Sequence, residues 1–460
     1  MDTMTLIGVA ISLVSLVGLS VYTGMKKSKG TGGLSVAVTT GLLMGTIVGG
    51  SSTVGTAQLA FNYGMSACWF TFGCAIACLV LALMFYDPIK RSGRSTLVGI
   101  IDGEYGERAG TLATVLNSVG MFINILSQLL SCSAVVLVVF PGIPGPVAIA
   151  AGGVFMIIYV IFGGTKGAGI VGILKTVLIY VAMVSCARIA ISQSGGMPAF
   201  MSYVEGLSAQ MGRNLFSPFG RGLGTDLGAG ISLVLGVITT QTYTQAMLAS
   251  RTDRGAKISA LLCALMMPPL GLMGIAVGLH MRSLVPDPST FVTRTALTSF
   301  ILDYSGMHPL LAGIILGALF ITAVGTGAGL ALGIATVVDR EIISKRRPSL
   351  AGKTVSPGIA AVVTVATLLS CTPIGDTILS FGFLSMCLRG CTVFAPLCFA
   401  LWAKGKVPGR YAEISITAGS LIALALGLAN MYGIIKLPCD SVFFGIGAGM
   451  IVMLLGLKKR

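Results

Sequence analysis

The sequence predicts an all-α polytopic membrane protein with thirteen transmembrane helices, and three observations carry the prediction: composition, the spacing of apolar runs, and the alternation of basic charge between them. Of 460 residues, 55% are hydrophobic and 10% charged, with 63 glycines; a single soluble core cannot bury that much apolar material. Apolar runs of bilayer-spanning length, bounded by charged or Pro/Gly breaks, fall at 4–24, 35–61, 64–86, 109–139, 144–164, 168–192, 227–250, 256–280, 309–339, 355–372, 374–403, 411–434 and 440–457. Alternate connections hold 22 basic residues against five in the others, Arg213, Arg221, Arg282, Arg294 and Lys436. This asymmetry sets the N-terminus outside and the C-terminus in the cytoplasm, in a plasma (inner) membrane. It also accounts for the net charge of +15 without invoking nucleic acid. The expected partners are the lipid bilayer and a small-molecule solute, with the oligomeric state left open.

Taken in order, the run 4–24 follows Met1-Asp2-Thr3, which lacks a basic n-region, so it reads as a retained helix and not a cleaved signal. The second run contains Gly45-Thr46-Ile47-Val48-Gly49-Gly50-Ser51-Ser52-Thr53-Val54-Gly55. Its glycines, hydroxyls and β-branched residues disfavour a continuous helix. In a bilayer, unwound backbone is tolerated only where it is buried in protein or lines a cavity. The break therefore reads as a binding site, with close packing through small residues as the alternative. Gly49, Gly50, Ser51, Ser52, Thr53 and Gln58 are the expected solute contacts on this span.

Residues 35–192 form a block of five spans and 227–403 a second block of five. Because five is odd, the second block starts from the opposite side of the membrane. Such inverted repeats carry their site at the first helix of each half. The seventh span has its own polar run, Thr239-Thr240-Gln241-Thr242-Tyr243-Thr244-Gln245, which adds Thr240 and Gln241 to the expected solute site. Two further helices occupy 411–457. The long connections 193–226 and 281–308 both fall outside. Within the second, Ser289 to Tyr304 is weakly amphipathic and reads as a short helix over a vestibule, either a gate or a mere connector. The eleven cysteines lie almost all in apolar runs and read as small buried hydrophobes, with no disulfide or metal site.

Several local patterns then coincide: Val48 to Ala57 with Tyr63-Gly64; Thr96-Leu97 through Tyr105-Gly106-Glu107-Arg108; Gly163-Gly164-Thr165-Lys166; Tyr243-Thr244-Gln245 leading to Ala249-Ser250-Arg251-Thr252-Asp253; and Asp339 closing the ninth span. In these residues the chain resembles the sodium/solute symporter family, whose members share the leucine-transporter (LeuT-type) fold with one extra N-terminal helix. The resemblance implies that carbonyls near Gly45 and Val48 face a sodium site and that Ser51 and Ser52 face solute. Both roles suit the chemistry, since unwound carbonyls fit a hard cation and hydroxyls a polar solute.

Two departures bear on coupling. Counting back from Asp339, the family's paired ninth-span hydroxyls fall on Ala323 and Val324, with Thr322 and Thr326 as substitutes if the register shifts. The sixth-span position where many members carry aspartate is Gly172, and Lys175 follows three residues later. An ammonium among the carbonyls of Gly45 and Val48 supplies the charge and hydrogen bonds otherwise supplied by Na⁺, and it can load and release a proton. The alternative is that Lys175 snorkels inward beside an ordinary sodium site.

Away from the span ends, the only charged residues are Lys175, Arg188 and Arg389; Lys257, Asp339, Asp376, Glu413 and Asp440 sit at span ends, and His280, the last residue of 256–280, and His308 are taken as outside. Arg389 is farthest from either end of its span and must find acceptors in the bundle, whether backbone carbonyls or an anionic group of the solute. The expectation is a symporter moving a small polar solute, anionic or carboxylate-bearing, in a proton-coupled or sodium-independent cycle. No cofactor is expected, and the candidate coupling ions are H⁺ and Na⁺. An ordinary Na⁺-coupled symporter is the first alternative and a channel the second. The spans hold no His/Glu/Asp/Cys constellation suited to a metal or a nucleophile, so no enzyme is expected.

Overall fold

The computed structural model describes residues 2–25, 33–163, 168–285, 287–344, 347–350, 352–372 and 377–457. Every regular element among them is helical. Among the described residues, seven helices are long and apolar enough to cross a membrane, eight if the bent pair Leu223–Ile238 and Gln241–Leu248 is one span. Five shorter apolar helices, among them Val36–Ile47 and Gly145–Val160, occupy other predicted runs. Asp376 and the Gly164-Thr165-Lys166 part of the Gly-Gly-x-Lys pattern lie outside the described residues.

The most buried long helices are Glu107–Val139, Pro309–Val338 and Ile378–Trp402. They form the interior against which the others pack, and all three touch the turn at Ser51–Gly55. The first helix, Thr3–Met25, runs along Pro309–Val338, with the Ser12 hydroxyl donating to the Ile314 carbonyl at 2.7 Å. The sixth-span helix Ala168–Gln193 lies against Val36–Ile47 at backbone distance. A Cβ on Gly172 would come within 2.0 Å of the Gly41 carbonyl oxygen. Small residues thus set this contact, as they do wherever helices approach closely in lipid.

The structure corrects three sequence expectations. Residues 289–304 are not one helix over a vestibule: two 3₁₀ turns, a four-residue helix Ala296–Ser299 and a π turn Phe300–Tyr304 replace it. The segment enters the bundle, with Leu297, Thr298 and Phe300 fully buried and Thr298 donating to the Ala134 carbonyl at 3.0 Å. His280 is not outside its span: it sits in the last turns of Asp253–Leu284, buried, with Nδ1 2.9 Å from Ser194 Oγ and Nε2 3.1 Å from Gln193 Oε1. Finally, Asp226 is fully buried in the first turn of the seventh-span helix, where Arg221 pairs with it at 2.7 Å and Ser66 donates to it at 2.6 Å. A buried carboxylate without such partners would be far too costly.

Candidate functional site

The helix Val36–Ile47 stops at Val48, whose extended backbone ends the ladder, and the chain resumes as a π turn over Ser51–Gly55. The break between them leaves backbone groups without an intrahelical partner, and buried amides must be met by other groups. Side chains of the fourth and ninth spans meet them. The Gly50 N–H donates to Gln128 Oε1 at 2.9 Å, and the Gln128 amide donates to Ser51 Oγ at 3.0 Å and Asn124 Oδ1 at 3.2 Å. Ser51 Oγ is 2.8 Å from Ser127 Oγ, which donates onward to the Ile378 carbonyl at 2.8 Å. The close approach requires glycine: a Cβ on Gly50 would overlap Ser131 Cβ at 2.1 Å. The remaining hydroxyls turn back on their own chain, Ser52 to the Gly49 carbonyl at 3.0 Å and Thr53 to the same oxygen at 3.1 Å.

One helical face away, Lys175 Nζ donates to the Gly45 carbonyl at 2.7 Å and to Thr326 Oγ1 at 3.0 Å. Thr326 Oγ1 lies 3.0 Å from the Thr322 carbonyl and 3.4 Å from the Val48 carbonyl. Lys175 has turned into the bundle, only 6% exposed. No carboxylate pairs with it among the described residues. The hydroxyl of Thr322 is buried without a partner. Ala323, where the resemblance puts a ligand, offers only its methyl, against Gly50. Beside the ammonium is a cavity of about 120 Å³ lined by Leu16, Gly45, Tyr159, Lys175 and Gly325.

The seventh span breaks between Ile238 and Gln241, with a bend of 48°. Here the break is met locally: Thr240 Oγ1 donates to the freed Gly236 carbonyl at 2.5 Å, and Thr239 Oγ1 adds to the Leu235 carbonyl at 2.8 Å, which still accepts the Thr239 N–H at 3.1 Å. Arg389, fully buried, donates to Thr240 Oγ1 at 2.8 Å, to Ser385 Oγ at 3.0 Å and to the Ser385 carbonyl at 3.3 Å. Gln241 reaches away from the break, accepting from the Leu97 N–H at 2.7 Å and donating to the Ser95 carbonyl at 3.1 Å. Gln58 accepts from the Ile378 N–H at 2.9 Å and donates to Thr293 of the 3₁₀ turn Thr293–Thr295 at 3.2 Å.

With this geometry in hand, the comparisons decide the family. The model of the sodium:solute symporter family matches residues 29–396. The chain belongs to the sodium:solute symporter family. Curated relatives include the symporter YwcA of Bacillus subtilis (strain 168), 26% identical over 40% of this chain, and a high-affinity choline transporter of Caenorhabditis elegans, 25% identical over 50%. The matches span 37% and 39% of those relatives' own lengths. A Na⁺-coupled sialic acid symporter, solved substrate-bound and outward-open, superimposes with a TM-score of 0.74 at 16% identity, over 99% of this chain and 97% of that one. A nucleobase-cation-symport-1 family transporter in a closed conformation gives 0.58 at 12% identity, with 92% of each chain covered. These likenesses give the chain the fold of the LeuT-type transporters.

Within this family frame, sequence reasoning missed the residues that complete the break. Asn124, Ser127, Gln128 and Ser131 recur at helical spacing along Glu107–Val139 and form a buried polar stripe in an otherwise apolar helix. That periodicity was the available signal.

Proposed function

We propose that this symporter moves a small polar solute bearing a carboxylate or similar anionic group by alternating access, with Lys175 standing where a sodium ion would otherwise sit. In this reading the chain crosses the membrane thirteen times, as two inverted five-helix repeats (35–192 and 227–403) between one N-terminal (4–24) and two C-terminal (411–457) helices, N-terminus outside. Solute is held at Gly49, Gly50, Ser51, Ser52 and Thr53, with Gln58 above and Thr240 on the paired half; Gln241, engaged by Leu97 and Ser95, points away and is left out of the solute shell. The observation that carries the coupling proposal is the pair of contacts from Lys175 Nζ to Gly45 and Thr326 at 2.7 and 3.0 Å. A protonated amine there satisfies the carbonyl that a bound cation would satisfy, and unlike Arg it can lose its proton during a cycle. The adjoining cavity of about 120 Å³ has room for water to carry that proton.

The anionic reading rests on two buried cations, Lys175 and Arg389, with no carboxylate paired to either among the described residues. Arg389 lies seven residues beyond Gly382, about 10.5 Å of helical rise, and the Cβ position of Gly382 is 3.8 Å from Ser51 Oγ. It therefore stands on the inward side of the solute site. A cationic solute such as choline meets the opposite electrostatics there.

An ordinary sodium site is the second reading, favoured by the unpartnered Thr322 hydroxyl next to Thr326 and the Gly45 and Val48 carbonyls. Uptake into proteoliposomes with sodium replaced by potassium separates the two. Undiminished, pH-dependent uptake is expected. A requirement for sodium in the wild type refutes the lysine proposal and leaves the sodium site.

A further inference from the structure

At the basic end of the bundle lies a second cavity that the transport site does not use. It measures about 400 Å³ and sits between the end of the third-span helix and the end of Ile378–Trp402, lined by Arg91, Ser92, Arg94, Glu104, Trp402 and Lys404. Arg91, Arg94 and Lys404 are exposed and unpaired among the described residues, whereas the nearby Lys90 and Lys257 are matched to Asp253 and Asp87. Glu104, the one carboxylate in the lining, accepts the Gly405 N–H. Farther into the membrane, Leu83 and Met84 of the same helix stand 68% and 59% exposed. Trp402 meets Phe85 edge-on at 5.0 Å, in the position of an interfacial aromatic. A cationic hollow at the water boundary below an apolar wall matches an amphiphile whose phosphate fills the hollow and whose chains lie on the wall.

We propose that this cavity binds the phosphodiester headgroup of an anionic phospholipid from the cytoplasmic leaflet. The guanidinium forks of Arg91 and Arg94 take phosphate oxygens, Lys404 adds a point charge, and Leu83 and Met84 carry an acyl chain. The site is wired to the transport path. Ser95, next to Arg94, and Leu97 hold Gln241, the first residue of the inner half of the broken seventh span. A headgroup that pins Arg94 steadies the loop holding that half-helix.

Native mass spectrometry of protein in phosphatidylcholine nanodiscs doped with phosphatidylglycerol tests this. Wild type retains phosphatidylglycerol and melts higher with it. Each neutralised cation weakens retention about fivefold, so Arg91→Gln/Arg94→Gln/Lys404→Gln loses about a hundredfold and the thermal gain with it. Neutralising Arg251, Arg254 and Lys353, exposed on the same basic side, leaves retention within about twofold; an equal loss there reduces the effect to general surface charge and overturns the site. Inorganic phosphate or glycerol phosphate reproducing the thermal gain in undoped discs identifies a soluble anion as the occupant and also overturns the proposal. If the triple variant does not fold, the three single substitutions decide, and retention at the wild-type level in all three refutes it.

Discussion

The two helix breaks handle the same problem in opposite ways. At Val48–Gly50, Ser52 and Thr53 meet the groups of Gly49 on the same chain, and the rest of the freed backbone is met from outside, by Gln128 of the fourth span, Thr326 of the ninth and Lys175 of the sixth. At Thr239–Thr240 the carbonyls are met by hydroxyls one turn away on the same chain. The first break is thus a meeting point whose geometry depends on three other helices, and the second is a self-contained hinge. Each has a buried cation within hydrogen-bond reach, and the cations differ in kind. Lys175 borders a small cavity and is able to give up its proton, while Arg389 keeps its charge throughout. In the proposed cycle only the first break changes its charge state.

Removing the switchable cation has the largest expected effect. Lys175→Met should lower uptake about a hundredfold and flatten its pH profile, while stability falls by no more than roughly 1–3 kcal/mol, the cost of leaving the buried Gly45 carbonyl unmet. Intact uptake with an unchanged pH profile in proteoliposomes would erase the distinction between the breaks. Next comes Gly172→Ala, which drives a methyl toward the Gly41 carbonyl and should cost roughly 1–3 kcal/mol by overpacking, read as a lower melting temperature together with a blunted pH response. A drop in stability without any change in pH response would mean that the spacing of the helices does not govern the lysine.

Arg389→Met should weaken binding of an anionic solute about tenfold, the scale of one charge-assisted hydrogen bond, and leave the melting temperature level or higher. Equal loss of folded protein and of affinity would make Arg389 a structural clamp. The smallest effect belongs to Asp339, outside both breaks. The Thr354 hydroxyl, the Gly352 N–H and Ser344 hold its carboxyl below the usual carboxylate range. Its contribution is therefore present above the unfolded value near 4 and fades as pH falls through the lower folded value. Wild type should out-melt Asp339→Asn at neutral pH and converge with it in acid.

The first break was legible because its residues announce themselves locally: close helix packing asks for glycines in an apolar run, but it does not ask for three hydroxyls beside them. Lys175 was legible only through the resemblance that sets the sixth span beside the Gly45 and Val48 carbonyls, and snorkelling stayed open until its Nζ was found on the Gly45 carbonyl. Gln128 was not singled out, because one amide in a 33-residue helix draws attention only once its partner, the Gly50 N–H, is known to be free. The outer segment failed differently. Leu297 and Phe300 gave an amphipathic pattern suited to a surface helix, and their insertion into the bundle depends on an opening beside Ala134 that no local pattern encodes. The burial of Asp226 likewise follows from Arg221 and Ser66, which converge on it only in three dimensions.

The burial of Lys175 has an electrical side. A charge taken up within the bilayer feels part of the transmembrane potential, which is worth about 2.3 kcal/mol per elementary charge per 100 mV across the full thickness. Loading a proton onto Lys175, seven residues or about 10.5 Å into the 26-residue helix Ala168–Gln193, should therefore be biased by a fraction of that figure. Voltage jumps applied to a membrane containing this protein, with neither sodium nor solute present, should displace charge transiently, and Lys175→Met should silence that current.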